Sequence, residues 1–274
     1  MKYKISEVAA LLNFSTNTIR RYEKMGYITS KRSETSNYRY YHEEDIIMLM
    51  NLKLLRKYDF TLPEIDGMKS SELPGLITAF EGKIEEFDNR ISYLKNLRHR
   101  LKDDLVLMKK ANGSNHCYIR DCVDLSYVLY QSGDKLLKEP NRLATVQKFL
   151  NVSPEVQRIY LIRKKDVEKD HIILNAGWAI KSAHLEKYKI AHNEYTEKYD
   201  KRKSLLTMAK LPLNIDEASK SNSLKKFLLN EPFQYMENHN LQVTGDIIGI
   251  VVANVLEGNQ AIQYILLGIP ITRM

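Results

Sequence analysis

The sequence predicts an α+β, multidomain chain: a compact, mainly helical domain over residues 1–70, a long helix over 71–110, and a C-terminal antiparallel-sheet domain with helices on one face over 116–274. Three observations carry this. At 274 residues the chain exceeds the roughly 100–200 residues usual for one domain. From Ile77 to Met108 the apolar residues step by three and four along one segment. Beyond the breaker run Ala111-Asn-Gly-Ser-Asn, strand-like runs alternate with helical ones.

Composition narrows the classes. With 43% hydrophobic and 28% charged residues the chain reads as globular, not disordered. No apolar run approaches the roughly 20 residues that cross a bilayer. The N-terminal MKYKISEVAALLNFS lacks the unbroken apolar core of a secretory signal, so a cytoplasmic location and no membrane partner are expected. Net charge is +8, and between Arg20 and Arg39 six basic residues face two acidic ones, a density suited to phosphate.

Residues 5–26 read as two short helices around a tight turn. Ile5, Val8, Leu11 and Leu12 form the apolar stripe of the first. Ser15 is placed to cap the second, and Gly26 to close it. Ile19, Tyr22 and Met25 recur every third residue and face inward, which leaves Asn17, Arg20, Arg21 and Lys24 on the opposite side. That is a helix-turn-helix whose second helix offers amide and guanidinium groups to a major groove, where Arg reads guanine and Asn adenine. From Ile28 the runs ITSKR, SETSN and YRYY suggest a hairpin, or wing. A helix over Glu43–Lys57 follows, with Ile46, Leu49, Met50 and Leu54 apolar; Thr61 and Glu64 then form a capping box ahead of Ile65 and Met68.

The long helix sets Ile77, Phe80, Ile84, Phe87, Ile91, Leu94, Arg98, Leu101, Leu105 and Met108 on one seam. A repeat of 3.5 residues buries such a seam against a partner helix, so a homodimeric coiled coil is expected, with Ile84, Phe87, Ile91, Leu94 and Leu101 as dimerisation residues. The alternative is a helix lying along its own C-terminal domain. Arg98 at a seam position costs stability and helps to fix register.

Beyond the breaker, strand-like runs cover Tyr118–Tyr130, Val156–Arg163, His171–Lys181, Ile247–Val255 and Ala261–Ile271, with helical runs at Asn141–Leu150 and Leu224–Asn240. Two rounds of strand, helix and paired strands give an antiparallel sheet with helices on one face. The charged, Tyr-rich residues 182–203 are left unassigned.

The run ISEVAALLNFSTNTIRRYEKMGYI, with KR, SNYRYY and EEDI after it, resembles the N-terminal domain of the MerR family. It departs from the family pattern at His42, where Ser or Thr is usual before the next helix. The resemblance implies a winged helix-turn-helix, an antiparallel coiled-coil dimer, and activation by distorting promoter DNA whose spacer is overlong for RNA polymerase. Carried over by position, it sets Thr16, Asn17, Thr18, Arg20, Arg21 and Tyr22 on the recognition helix, Lys31, Arg32, Tyr38 and Arg39 in the wing, and Lys57 as a phosphate contact. The C-terminal part resembles, more weakly, the gyrase-inhibitor-like effector domain of multidrug regulators, through its doubled layout and closing LLGIPI. At the position of that family's buried glutamate stands Leu266.

Candidate ligand-binding residues are Tyr127, Tyr160, Trp178, Tyr264 and Leu266. Aromatic faces on a concave sheet stack flat molecules. Without a buried acid, neutral, anionic or zwitterionic effectors are expected ahead of lipophilic cations. Two alternatives stay open: metal or redox sensing through Cys117 and Cys122, with His116 adjacent, and a hydrolytic effector domain. No nucleophile triad, zinc signature, Walker loop or dinucleotide fingerprint is present, so neither enzyme nor cofactor is expected; Asp121 with Asp124, and Glu194 with Glu197, read as solvated charges.

Overall fold

The computed structural model describes residues 2–32, 39–113, 117–169, 171–213 and 220–273. The chain divides into two compact units, Met1–Tyr93 and Leu94–Met274. The division falls within the long helix, whereas the sequence pattern puts its boundaries at that helix's two ends.

The first unit opens with β1 (Tyr3–Lys4), α1 (Ile5–Leu12) and α2 (Thr16–Lys24). Asn13 ends α1 in the left-handed conformation at φ 48°, which an Asn side chain tolerates. Ser15 Oγ accepts from Thr18 N at 3.0 Å and so satisfies one of the free N–H groups that begin α2. Gly26, at φ 74°, closes the motif where an L side chain would be strained. β2 (Lys31–Arg32) pairs antiparallel with β3 (Arg39–Tyr41), and β1 pairs with the other edge of β3.

α3 (Glu43–Lys57) starts at His42 without a Ser or Thr cap. Asp45 compensates, accepting from His42 N at 2.8 Å and from Thr29 N at 3.1 Å. The expected capping box opens α4 (Leu62–Met68), with Thr61 N donating to Glu64 Oε2 at 2.5 Å and Glu64 N to Thr61 Oγ1 at 3.4 Å. α5 (Leu73–Ala111) follows.

The core of this unit joins Val8, Ile19, Tyr22, Tyr41, Leu49 and Ile65. Four residues read as inward point outward instead. Leu11 is 61% exposed, and Met25, Met50 and Leu54 are exposed as well. The buried arc of α3 runs through Ile46, Leu49 and Leu52, so Met50 and Leu54 fall beside it.

The second unit contains β4 (Tyr118–Asp121), β5 (Leu125–Ser132), β6 (Lys135–Leu136), α6 (Pro140–Leu150), β7 (Gln157–Ile162), α7 (Lys164–Glu168), β8 (Asn175–Lys181), α8 (His184–Lys187), β9 (Glu197–Tyr199) and β10 (Lys203–Pro212). α9 (Lys220–Leu224) passes through a π-helical turn into α10 (Asn230–Asn238), and β11 (Leu241–Val243), β12 (Ile247–Glu257) and β13 (Gln260–Arg273) complete the unit. The antiparallel sheet has the order β4-β10-β13-β12-β7-β8-β5-β6, with β9 on β5 and β11 on β13.

Strand, helix and paired strands occur twice, as β5-α6-β7-β8 and as β10-α9/α10-β12-β13. Strand alternation separates the two faces. Tyr160, Ile162, Ile265, Leu267 and Ile269 pack with Leu228 and Met236 on the helix-covered side. Tyr127, Leu129, Ile159, Leu161, Tyr199 and Ile248 cluster on the opposite face, along which the last turns of α5 run, with Arg100 near Gln157 and Leu107 near Leu125 and Ile248.

β10 begins the second round and was not among the expected strands. The expected run Tyr118–Tyr130 divides into β4 and β5, and β8 starts at Asn175, four residues later than expected. Residues 182–203, unassigned by pattern, hold α8 and β9.

Candidate nucleic-acid interface and effector cavity

The second helix of the helix-turn-helix is two-faced. Ile19 and Tyr22 are buried, and Asn17, Arg20, Arg21 and Lys24 are exposed together on the other side. Tyr22, counted in the candidate interface, is only 8% exposed, with its ring 5.9 Å from Phe14 and 5.8 Å from Tyr27. It packs the helix onto the core and is withdrawn from the interface. Thr16 and Thr18 are half-buried at the start of the helix, and Thr18 Oγ1 lies 2.8 Å from Ser15 Oγ. Lys31 is exposed on β2, and Lys57 is exposed in the last turn of α3. Arg32 is placed on β2 by its backbone, while Tyr38 lies outside the described residues.

Glu23, which sequence reasoning passed over, ties this helix to the strands. Its carboxylate accepts from the hydroxyls of Ser30 and Tyr41, the latter at 3.3 Å, and pairs with Arg39 Nε at 3.4 Å. Arg39, read as a phosphate contact, therefore has one guanidinium nitrogen on Glu23. The signal was an acid within a basic helix, EK after RRY, three residues past the exposed Arg20.

Burial, aided by Glu23, pushes the Tyr41 hydroxyl up to about 12 from its ordinary 10.0. A raised pKa favours the neutral hydroxyl in the folded state. The stabilisation is complete below pH 10 and is lost as pH climbs from 10 toward 12. Denaturant unfolding of the wild type at pH 8 and pH 11 is therefore expected to show a loss of stability that is smaller in Tyr41→Phe. An equal loss in both proteins would place the alkaline sensitivity elsewhere.

Residues 3–72 match the family model described as MerR HTH family regulatory protein. Over that stretch the chain is similar to the MerR helix-turn-helix regulators. The mercuric resistance operon regulatory protein of Bacillus cereus is 29% identical over 104 residues that cover 38% of this chain and 75% of that protein. The transcriptional regulator BrlR of Pseudomonas aeruginosa is 28% identical over 102 residues, which cover 37% of this chain but only 34% of BrlR. Among solved structures, an EcmrR–DNA complex in EcmrR-RPo aligns over 99% of this chain and 100% of that one, at 12% identity and a TM-score of 0.38, too low to carry an argument.

The seam of α5 is largely exposed in the single chain: Ile84 is 59% exposed, Leu101 65%, and Ile91 and Leu94 about half, while Phe87 is half-buried and Arg98 exposed. Phe80 is partly used within its own unit, its ring 5.2 Å from Phe60. Lys83, beside the seam, is buried between Glu64 at 2.8 Å and Glu86 at 2.7 Å.

The five candidate ligand residues of the second unit do not converge. Tyr127 lies on the α5 side of the sheet, but its hydroxyl donates to Glu197 Oε2 at 2.9 Å, and Arg163 bridges Glu197 at 2.7 Å and Asp246 at 3.0 Å. Burial pushes the Tyr127 hydroxyl above its ordinary range. Glu197 is thus a structural partner, not the solvated charge expected. Asp124 likewise accepts the backbone N–H of Lys201.

Trp178 alternates with Ala176 and Ile180 and packs with the α6 cluster around Val146 and Phe149, on the helix-covered side. Tyr160 is on that side too. Tyr264 sits near the start of β13, hydrogen-bonded to Glu257 with Lys210 Nζ 4.9 Å from its ring centre. Of the five, only Leu266 reaches a cavity between the sheet and the end of α5, a space of about 240 Å³ walled by Leu107, Leu125, Tyr199, Leu206, Ile248 and Ile250, with Lys110, Arg120 and Asp121 also lining it.

Cys122 lies on the same cavity. Its Sγ accepts from Arg202 N at 3.3 Å. Burial raises the Cys117 thiol above its ordinary pKa, which favours the unreactive thiol over the thiolate. Among the described residues no group of three or more His, Cys, Asp or Glu is arranged to hold a metal, and His116 lies outside them. Among those residues, no helix is long and apolar enough to cross a membrane.

Proposed function

We propose that this chain is a homodimeric, effector-responsive transcription regulator, which binds promoter DNA through a winged helix-turn-helix and activates RNA polymerase by distorting an overlong spacer. The observation that carries the reading is the pairing, in one chain, of a matched DNA-binding domain with a separate sheet unit that has a largely apolar cavity between its sheet and the end of α5. In this reading residues 1–70 contact DNA, 71–110 dimerise and 116–274 sense the effector. Asn17, Arg20 and Arg21 enter the major groove, Lys31, Arg32, Tyr38 and Arg39 follow the backbone, and Lys57 anchors a phosphate. Bending and untwisting a promoter costs several kcal/mol, which two wings and many phosphate contacts offset.

The second unit, in its doubled layout, serves as a gyrase-inhibitor-like effector domain. The walls of its cavity favour a flat neutral molecule, because the one carboxylate among its described lining residues, Asp121, is exposed and paired with Lys201 at 3.8 Å, which leaves no buried acid to balance a cation. Footprinting on the upstream promoter, with and without bound dye, tests the regulator. Transcription in vitro from that promoter should become independent of effector once its spacer is shortened to ordinary length. Unchanged dependence would reject the distortion mechanism.

Leu266→Glu tests the cavity. Adding a carboxylate beside Ile248 and Ile250 should weaken binding of a neutral aromatic dye tenfold or more and admit lipophilic cations. Because Trp178 lies on the opposite face, the emission of the dye is the appropriate readout. Neutral and cationic dyes that bind the variant as they bind the wild type would place the effector elsewhere.

A further inference from the structure

We infer that the second unit holds another ligand site, on the helix-covered side of the sheet around Arg158, and that it takes a lipophilic carboxylic acid. The space there measures about 700 Å³, within the range of small-molecule sites, and shares no lining residue with the cavity at Leu266. One wall is aliphatic, formed by Ile172, Leu174, Ala176, Leu211 and Leu224, of which Leu174 alone is only partly buried, and the opposite side is polar.

Among the described residues, Arg158 is held at this space by neutral groups alone. Its Nη2 donates to Tyr160 Oη at 3.0 Å, and that hydroxyl donates onward to Oε1 of the buried Gln263 at 2.8 Å. The guanidinium plane also lies over the Tyr160 ring, 5.4 Å from its centre. Nε of Arg158 is buried and has no hydrogen-bond partner, and among the described residues the guanidinium forms no ion pair.

A half-buried cation whose buried Nε has no partner among the described residues is costly unless an anion meets it. The planar fork suits a carboxylate, which two parallel N–H donors hold in a fixed orientation. Lys135 and His171 add basic groups at the rim, and Asp134, the acid on that rim, already has a partner of its own. The aliphatic wall then receives the apolar body of the ligand, and burying that body supplies affinity that a free inorganic anion lacks.

Calorimetry on the full chain tests this with dodecanoate below its micellar concentration, beside methyl dodecanoate and dodecyl phosphate. Dodecanoate should bind saturably, at least tenfold more tightly than the ester and no more weakly than the phosphate. Arg158→Met should weaken it at least tenfold, and Arg158→Lys should restore only part of the loss, because the fork is missing. Ile173→Trp, which narrows the space from a loop without touching Arg158, should also block binding, so the result does not rest on the folding of a β7 variant. Leu266→Glu should leave dodecanoate binding unchanged. Equal binding of acid and ester, tighter binding of dodecyl phosphate, retention in Arg158→Met or loss in Leu266→Glu would each overturn the assignment.

Discussion

Replacing Arg20 with Ala is expected to cost about 1–3 kcal/mol of operator binding, roughly 5- to 150-fold in Kd, and to relax discrimination at one base position. The expectation rests on the geometry of α2. Arg20 and Arg21 are exposed beside Asn17 and Lys24, while Ile19 and Tyr22 fix the opposite face in the core, so truncating either Arg leaves the fold intact. The double change Arg20→Ala with Arg21→Ala should bring affinity close to the nonspecific level. Arg39→Ala should act differently. It weakens binding to all sequences alike and lowers the slope of log K against log salt by about 1, the signature of one phosphate contact. Because Arg39 also pairs with Glu23, Arg39→Lys is the control that keeps the charge near that acid. Fluorescence anisotropy over a range of salt, with the upstream promoter against shuffled DNA, reads all three. Equal affinity of the wild type for both DNAs would end the reading.

Much of the first unit was legible because its signals are local. Ser15, Gly26 and the Thr61–Glu64 box each act within four residues of themselves, and each appears where the pattern put it. The misplaced residues are those whose environment is decided at a distance. Periodicity names an apolar stripe on α1 and α3 but does not say which neighbour covers it, and so Leu11, Met50 and Leu54 emerge exposed. β10 is the clearest omission. Its sequence, KSLLTMAKLP, holds good helix formers and a single β-branched residue, so intrinsic preference argues against a strand. Pairing with β13 along nine residues, and burial on both faces, override that preference.

The ligand residues failed for a related reason. An aromatic residue in a strand is visible in sequence, but its face depends on register with its neighbours. Tyr127 pairs with Ala179 and Ala179 with Gln157, so Tyr160, three residues further along β7, takes the opposite face, and each hydroxyl is engaged by a partner that no spacing announces.

The largest structural effect is expected from Ile91→Asp with Leu94→Asp on α5. In the single chain both side chains are about half exposed, and neither fills the core of its own unit. The change therefore should not unfold the monomer. In a coiled-coil dimer the same positions face the partner, where a carboxylate without a counter-charge costs several kcal/mol, and two positions on each helix double that cost. Dissociation to monomer is the expected result, read by light scattering at micromolar concentration, with unchanged helical circular dichroism as the check on folding. Operator affinity should collapse with it, since one helix-turn-helix reads one half-site and loses the second set of phosphate contacts. Seam-neutral controls at Asn89 and Lys95, each changed to Asp, should remain dimeric. If the double variant still runs as a dimer while the controls behave alike, the chains meet through another surface, and the exposed seam lies along something other than its own copy.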